Sequence, residues 1–286
     1  MVFNIYNKFL KEYCNAKEYE KNKLIDISNI DFNFNNLPKK INKVGYIVAT
    51  CSPVTKAHIE LANLAIKNLK LNLLYFIIWP FYYIPGFHSE NMLSWIKEQK
   101  HYDWDIRISL LEKALKDNNN PKIKILYEAK SWYIESNKYF DLKISNSYFW
   151  TGSWFVIRKL QTILNDFYLK KIKKKGGGIS YYFIVGSDQF NPNIYNLFNE
   201  GKEKVWKDYS IAQQLALHNV YAVERDYLEF FTPPKWIKNK IYFASKLKYN
   251  DISATKIRFG KNLNYLKYAC MPSVLNQIKE HKLWNY

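Results

Sequence analysis

Short runs of β-branched and aromatic residues alternate along the chain with longer stretches whose apolar residues recur every three or four positions. The short runs predict strands at residues 44–50, 73–79, 122–129, 180–186, 219–224 and 240–245. The longer stretches predict helices at residues 58–69, 105–116, 153–167 and 210–217. Strands that alternate with helices in this way indicate an α/β protein with a doubly wound, Rossmann-like parallel sheet and helices on both faces.

Three segments fall outside this alternation. Residues 1–42 are rich in Asn and charged residues, and we interpret them as an N-terminal extension of a main domain at residues 43–286. Residues 170–178 carry five Lys and three Gly, which predicts a flexible basic linker within that domain; a nuclear-import or polyanion-binding patch is the alternative. The stretch from residue 262 onward, with Pro272 near its middle, predicts closing helices.

The composition excludes a chain that is disordered throughout, because 48% of its 286 residues are hydrophobic and 18% are aromatic. Its formal net charge of +18 suggests a polyanionic partner such as nucleic acid. However, only four of the 43 basic residues are Arg, and the Lys residues are spread along the chain. A nucleic-acid reader clusters Arg for bidentate contacts, so we expect no specific nucleic-acid partner.

The spacing of the cysteines and the lengths of the apolar runs indicate in which cellular compartment the protein is expected. Three Cys are spaced too widely for a disulfide framework or a CxxC metal pair. The first residues lack the apolar core of a signal peptide, and the run Leu73–Ile84 is broken by Pro80 and too short to span a bilayer. We therefore expect a cytoplasmic protein without a membrane partner; a nuclear location through residues 170–175 stays open for a eukaryotic source.

Two polar segments next to predicted strands have residue types suited to phosphate. In residues 49–58, Pro53 and the turn bring Thr55 and His58 to a helix start, where free N–H groups and the helix dipole favour anions. In residues 250–258, Ser253, Thr255 and Arg258 share one helix opening, capped by Asp251 or Ser253. A surface or capping His is the alternative at the first place, and an ordinary capped helix with an exposed Arg is the alternative at the second.

A third segment, residues 185–190, follows a middle strand. Gly186 allows close approach of a ligand to the backbone, and Asp188 can accept hydrogen bonds from ribose hydroxyls.

The order and spacing of these segments resemble the nucleotidyltransferase superfamily and, within it, the nicotinamide/nicotinate mononucleotide adenylyltransferases. SPVTKAH is similar to the family's first motif in the form where Thr replaces the first His of H-x-G-H. VGSDQF resembles the family's G-x-D, and ISATKIR resembles ISSTKIR. The resemblance covers about residues 43–286 and adds DIRISLLEKAL, TGSWFVIRKL and the closing helix.

This resemblance implies that a mononucleotide's 5′-phosphate attacks the α-phosphorus of ATP in line, giving NAD or its deamido form and pyrophosphate. Such chemistry depends on positioning and charge neutralisation. His58 would donate to the α-phosphate, with the Thr55 hydroxyl beside it, and Arg258 would complete the catalytic set. Mg²⁺ would arrive with ATP, bound mainly through phosphates and water.

The resemblance also assigns the substrate contacts. The ATP-binding residues would be Thr50, Ser52, His58, Arg225, Ser253, Thr255 and Arg258. The mononucleotide and its ribose would contact Gly186, Asp188, Trp154 and Trp206, with the Trp206 indole stacked on the pyridine ring. Arg107 matches a family Arg, for which a structural ion pair is the alternative, and either Lys97 or Lys100 would reach the mononucleotide phosphate.

Two departures from the family pattern lead us to expect weakened ATP binding. Ala49 stands where the family has Gly for close phosphate approach, and Ala254 replaces a Ser hydroxyl. The substrates expected are ATP with NMN or NaMN, and homo-oligomer formation stays open. The alternatives are a cytidylyl- or phosphopantetheine adenylyltransferase, or a degenerate basic relative that binds nucleotide or RNA.

Overall fold

The computed structural model describes residues 32–35, 37–79, 98, 100–136, 148–172, 178–186, 219–223, 241–244 and 247–286. In these residues, six strands form one sheet: β1 (Lys43–Ala49), β2 (Leu73–Ile78), β3 (Ile123–Ile125), β4 (Ser180–Gly186), β5 (Asn219–Val223) and β6 (Ile241–Ala244). The helices are α1 (Lys56–Leu69), α2 (Trp104–Asn118), α3 (Ala129–Ser136), α4 (Tyr148–Ile172), α5 (Ala254–Gly260), α6 (Leu263–Ala269) and α7 (Pro272–Glu280), followed by a 3₁₀ turn at Leu283–Asn285.

All the pairings between these strands are parallel, in the order β3-β2-β1-β4-β5-β6. Val44 pairs with Leu73 on one side of β1, and Tyr46 pairs with Phe183 on the other. Every residue of β2 is buried, as expected for a strand covered on both faces.

Helices cover both faces of the sheet, and each face has its own apolar core. One core joins β-strand side chains such as Phe76 to α1, α2 and the closing helices, as the burial of Leu111 and Val274 shows. The other joins Tyr46 and the opposite strand face to α3 and α4, with Leu160 at its centre. The predicted doubly wound parallel sheet is thereby confirmed.

The boundaries of one predicted strand are wrong. Residues 122–129 were expected to be a single strand, but β3 ends at Ile125. The Leu126 N–H still donates to the Phe76 carbonyl, and the Leu126 carbonyl then accepts from the Ala129 N–H, which turns the chain into α3. Leu126 and Ala129 are both buried, so apolar residues flank the turn on both sides and the apolar pattern does not mark it.

Residues 32–42 of the predicted extension pack against the main domain where they are described. Phe32 and Ile41 are buried, the Phe34 ring stacks on Phe167, and the Pro38 carbonyl accepts from the Tyr168 hydroxyl. At the predicted basic linker, residues 170–172 are helical as the end of α4, and residues 173–177 lie outside the described residues. The predicted helix at residues 210–217 also lies outside them. Within the described ranges, no helix has the length and hydrophobicity needed to cross a membrane.

Candidate active site

The carboxyl ends of the two central strands, β1 and β4, lie side by side. Continuing the register of the Tyr46–Phe183 pair places Gly186 opposite Ala49. The chain winds outward from β1 to β2 and β3 and then crosses back to β4. The direction of winding therefore reverses between β1 and β4. Such a reversal opens a crevice where α/β sheets bind ligands. The loop after β1 and the end of β4 border this crevice.

Residues 50–58 carry the first motif from β1 into α1. Cys51 is buried and has φ 47°, in the left-handed region that favours glycine. Thr55, 1% exposed, is the N-cap of α1 and has an extended backbone. Because α1 begins at Lys56, two residues before the predicted start, His58 lies within the first turn of the helix.

His58 and Thr55 are joined through one ring nitrogen. The Thr55 backbone N–H donates to His58 Nδ1 at 3.2 Å, and the Thr55 hydroxyl lies 2.8 Å from the same atom. Because a backbone N–H can only donate, Nδ1 acts as the acceptor, and the neutral ring then carries its proton on Nε2. Thr55 therefore sets the orientation and the tautomer of His58.

Arg258 connects the last motif to the first. Its Nη1 donates to the Ser52 carbonyl at 2.7 Å, across 206 residues of sequence, and its Nη2 donates to Thr255 Oγ1 at 3.1 Å. Arg258 is 5% exposed, so the alternative of an exposed Arg on an ordinary capped helix is wrong. Burial lowers the pKa of the guanidinium to about 10, which leaves it charged at neutral pH.

The opening of α5 presents polar groups beside this guanidinium. Ser253 occupies the N-cap position, although its side chain makes no capping hydrogen bond, and its backbone N–H donates to the Tyr265 hydroxyl at 2.7 Å. Asp251, the other predicted cap, accepts instead from the Tyr268 hydroxyl at 3.0 Å. Thr255 is exposed, so the hydroxyl that accepts from Arg258 lies at the surface of the protein.

Arg107, which matches a family Arg in the sequence, binds three backbone carbonyls at the site, and these contacts were not predicted. Its Nη1 donates to the carbonyl of Thr50 at 2.8 Å and to that of Trp79 at 2.7 Å, and its Nε donates to the Tyr102 carbonyl at 2.9 Å. Its side chain is fully buried. Thr50 and Trp79 directly follow β1 and β2, so one guanidinium fixes the ends of both strands relative to each other.

His101 is a second residue that the sequence reasoning missed. It lies just before α2 and is partly buried. Burial, together with the charges of Arg258 and Arg107, lowers the pKa of its imidazole to about 3. The ring is therefore neutral at physiological pH, and two guanidinium groups concentrate positive charge around it. Only the placement of both arginines in three dimensions identifies His101.

Two further predicted ATP-binding residues lie in the loop after β1. Thr50 is partly buried and offers its carbonyl to Arg107. Ser52 is fully buried, and among the described residues its hydroxyl has no hydrogen-bond partner. A buried hydroxyl of this kind is suited to a ligand oxygen, because an unpaired buried polar group is costly.

Comparison with known proteins gives one curated relative over most of the chain. The chain is 29% identical over 224 residues to a curated protein of Pelagibacter ubique (strain HTCC1062) named "Probable nicotinate-nucleotide adenylyltransferase". The match covers 78% of this chain and 96% of that protein. This similarity agrees with the family that the sequence motifs resemble. The chain is similar to the mononucleotide adenylyltransferases.

Solved structures of adenylyltransferases also resemble the chain, at lower identity. The nicotinic acid mononucleotide adenylyltransferase of Plasmodium falciparum complexed with APC is 14% identical, with a TM-score of 0.48. The same enzyme complexed with NaAD is 17% identical, with a TM-score of 0.45. In both cases, the match covers 86% of this chain and 98% of the other. No protein-family model matches the chain.

The other predicted substrate contacts are described in part or not at all. Gly186 is the last residue of β4, beside β1 in the sheet, and the backbone of Trp154 lies within α4. Asp188, Trp206, Arg225 and Lys97 lie outside the described residues. Lys100 is described, and its ammonium lies 5.2 Å from the centre of the Phe259 ring.

No preformed metal site accompanies this arrangement in the described part of the chain. Groups of three or more His, Cys, Asp or Glu side chains that could hold a metal ion are absent among those residues. Among the described residues of the site, Arg258 and Arg107 carry positive charge.

Proposed function

We infer that the protein catalyses adenylyl transfer from ATP to nicotinate mononucleotide, giving deamido-NAD and pyrophosphate, a step in NAD biosynthesis. A 5′-phosphate oxygen of the mononucleotide forms a bond to the α-phosphorus of ATP. The bond from that phosphorus to the α–β bridging oxygen breaks, and its electron pair leaves with pyrophosphate. The similarity to the Pelagibacter ubique protein supports this substrate, and nicotinamide mononucleotide is the second substrate to be tested.

The observation that carries this proposal is the 2.7 Å hydrogen bond from Arg258 to the Ser52 carbonyl. It brings the first and last phosphate-binding motifs together beside the crevice between β1 and β4. A polyphosphate chain needs contacts at both ends of the reacting group, and this junction can supply them. We propose that Arg258, with Thr255 and Ser253, holds the β- and γ-phosphates and stabilises the departing pyrophosphate.

The ring proton of neutral His58 lies on Nε2, the nitrogen that Thr55 does not contact. Because Nδ1 accepts from Thr55, the ring is a donor through Nε2 without being charged. We propose that Nε2–H donates to an α-phosphate oxygen as negative charge moves onto it in the transition state. Thr55, buried behind the ring, acts on substrate through His58.

The remaining assignments concern the loop after β1, for ATP, and the residues proposed to bind the mononucleotide. We assign Thr50 and Ser52 to ATP, and the buried Ser52 hydroxyl supports that assignment. Arg225 is proposed for the adenylate pocket on the strength of the family pattern. On the same ground Gly186 and Asp188 are proposed for the ribose, and Trp154 and Trp206 for the pyridine ring.

Magnesium fits this site as part of the nucleotide substrate. Mg²⁺ keeps several waters and binds through substrate phosphates with few protein carboxylates. We therefore propose that Mg²⁺ enters bound to ATP, and that it supplies charge neutralisation on the phosphates. Since the substrates and the product are intracellular metabolites, we also propose a cytoplasmic location.

A pyrophosphate-release assay tests the function. Purified protein receives ATP, Mg²⁺ and, in separate reactions, NaMN, NMN, phosphopantetheine or glycerol phosphate. We expect release with NaMN, reduced roughly 10²- to 10⁴-fold in His58→Ala. His281→Ala is the matched control, because His281 is exposed beyond α7. Release with phosphopantetheine alone, or equal rates in both His variants, would contradict the proposal.

A further inference from the structure

The segment Leu283–Tyr286, which we name the clasp, contacts the residues just before α2. The Trp284 indole Nε1 donates to the Lys100 carbonyl at 2.8 Å, and its backbone N–H donates to the Tyr102 hydroxyl at 3.2 Å. The Tyr102 and Trp284 rings meet edge to face, with centroids 4.9 Å apart. Trp284 is 3% exposed, so these contacts are shielded from water.

The clasp also forms a hydrogen bond with α5 next to Arg258. The Tyr286 hydroxyl donates to the Ile257 carbonyl at 3.1 Å. This carbonyl lies in the last turn of a seven-residue helix, where carbonyl groups have no partner within the helix. On the other side of Arg258, the Phe259 ring lies against the Lys100 ammonium. A helix this short depends on such anchors, because its own hydrogen bonds barely offset the cost of forming it.

These contacts close a circuit around the phosphate site. Arg258 holds the Ser52 carbonyl, and Arg107 holds the neighbouring Thr50 carbonyl. Arg107 also holds the Tyr102 carbonyl, and Tyr102 in turn bonds the clasp. Tyr286 of the clasp donates to the carbonyl of Ile257, the residue before Arg258. The two guanidinium groups are thus fixed relative to the loop after β1 from both sides.

We propose that Trp284 and Tyr286 are positioning residues that set the place of the Arg258 guanidinium for the polyphosphate of ATP, an inference that rests on the proposed function. Neither residue is assigned to substrate. Their effect reaches the nucleotide through Ile257 and the Lys100–Tyr102 segment. The Tyr286 contact with Ile257 should therefore govern ATP affinity and leave mononucleotide affinity unchanged. The Trp284 contact also bears on Lys100, one of the two Lys residues predicted to reach the mononucleotide phosphate, so only its effect on ATP is used.

The test is equilibrium binding of ATP and of NaMN, each measured by calorimetry on the full chain, so that it does not depend on turnover. Tyr286→Phe removes only the hydroxyl, which donates to the Ile257 carbonyl and also bonds the backbone of Asn262. We expect ATP to bind about three- to tenfold more weakly, as for the loss of one hydrogen bond, with NaMN binding unchanged. Trp284→Phe, which removes the indole N–H, should act in the same direction.

Two controls separate positioning from general loosening of the fold. Tyr127→Phe removes an exposed hydroxyl that donates to Glu112, and it should leave ATP binding unchanged. In an Arg258→Ala background, Tyr286→Phe should have no further effect on ATP affinity, because the positioned group is gone. Additive effects in that double variant, or equal weakening of ATP and NaMN, would overturn the proposal.

The result also distinguishes this inference from the proposed function. If the wild-type protein binds ATP but forms no dinucleotide, the function fails while weaker ATP binding in Tyr286→Phe still supports the clasp. If the wild-type protein forms dinucleotide and Tyr286→Phe binds ATP as tightly as the wild type, the clasp proposal fails alone.

Discussion

Arg107 donates from a single nitrogen to the carbonyls of both Thr50 and Trp79, the residues at which the chain leaves β1 and β2. The carboxyl ends of parallel strands carry unpaired carbonyls wherever the ladder stops. In this protein, the buried guanidinium of Arg107 donates to two such carbonyls. The positions of the loop after β1 and of α2 are therefore linked by one side chain.

Replacing Arg107 by Lys should destabilise the fold. An ammonium cannot span three carbonyls in the fork geometry of a guanidinium, so buried acceptors would lose their donors. We expect the free energy of unfolding to fall by roughly 2–4 kcal/mol, measured by urea denaturation. Arg158→Lys, at a partly buried position of α4, is the matched control and should cost less than about 1 kcal/mol. Equal losses in the two variants would contradict this role.

His101 predicts a specific dependence of stability on pH. In the unfolded chain its pKa is about 6.5, whereas burial and the charges of Arg258 and Arg107 lower it to about 3 in the folded protein. Between these values the unfolded chain binds a proton that the folded protein does not, so stability falls as the pH drops from 6.5 towards 3.

His101→Gln removes this titration. Between pH 7.5 and 4.5, we expect the wild type to lose about 1–2 kcal/mol more than this variant, allowing for the partial exposure of the ring. Thermal unfolding at both pH values measures the difference. His281→Gln, at an exposed position, should follow the wild type. Parallel losses in wild type and His101→Gln would refute the assignment.

Thr55→Val tests whether the hydroxyl orients His58. Valine keeps the shape of the side chain but removes the group 2.8 Å from Nδ1. We expect kcat to fall about tenfold or more, because a misplaced donor stabilises the transition state less well. Thr55→Ser keeps the hydroxyl and should retain most of the rate. A Val variant as fast as the Ser variant would argue against this role.

Ala254→Ser should strengthen ATP binding. The substitution restores a hydroxyl at the first residue of α5, a partly buried position beside Ser253. One added hydrogen bond to phosphate lowers the KM for ATP about three- to fivefold. Ala254→Val is the control, since it adds volume without a hydroxyl. A similar fall in KM for the Val variant would show that the hydroxyl is not responsible.

The sequence predicts the sheet well because its central strands are continuous apolar runs. β1 and β4 were expected at residues 44–50 and 180–186 and lie at Lys43–Ala49 and Ser180–Gly186. β3 was overextended, since Leu126 is buried in a turn that contains neither Gly nor Pro. Periodicity reports burial, and a buried turn gives the same signal as a strand.

The candidate site was predictable where the residues sit in contiguous motifs. Thr55, His58 and Arg258 were each predicted from local spacing next to a strand or helix end, and the structure shows the contacts of Thr55 with His58 and of Arg258 with Ser52, while their roles stay predictions. The carbonyl partners of Arg107, and His101 itself, were not predicted, because what defines them is a set of partners far away in the sequence. The Arg107 bond to Thr50, for example, spans 57 positions, and nothing in either segment encodes it.

The most direct measurement for the central claim is detection of the product itself. Purified protein is incubated with ATP, Mg²⁺ and NaMN, and deamido-NAD is quantified by mass spectrometry beside the pyrophosphate released. The account predicts equal amounts of both products, lost together in His58→Ala and in Arg258→Ala. Pyrophosphate without dinucleotide, or dinucleotide formation that survives both substitutions, would contradict it.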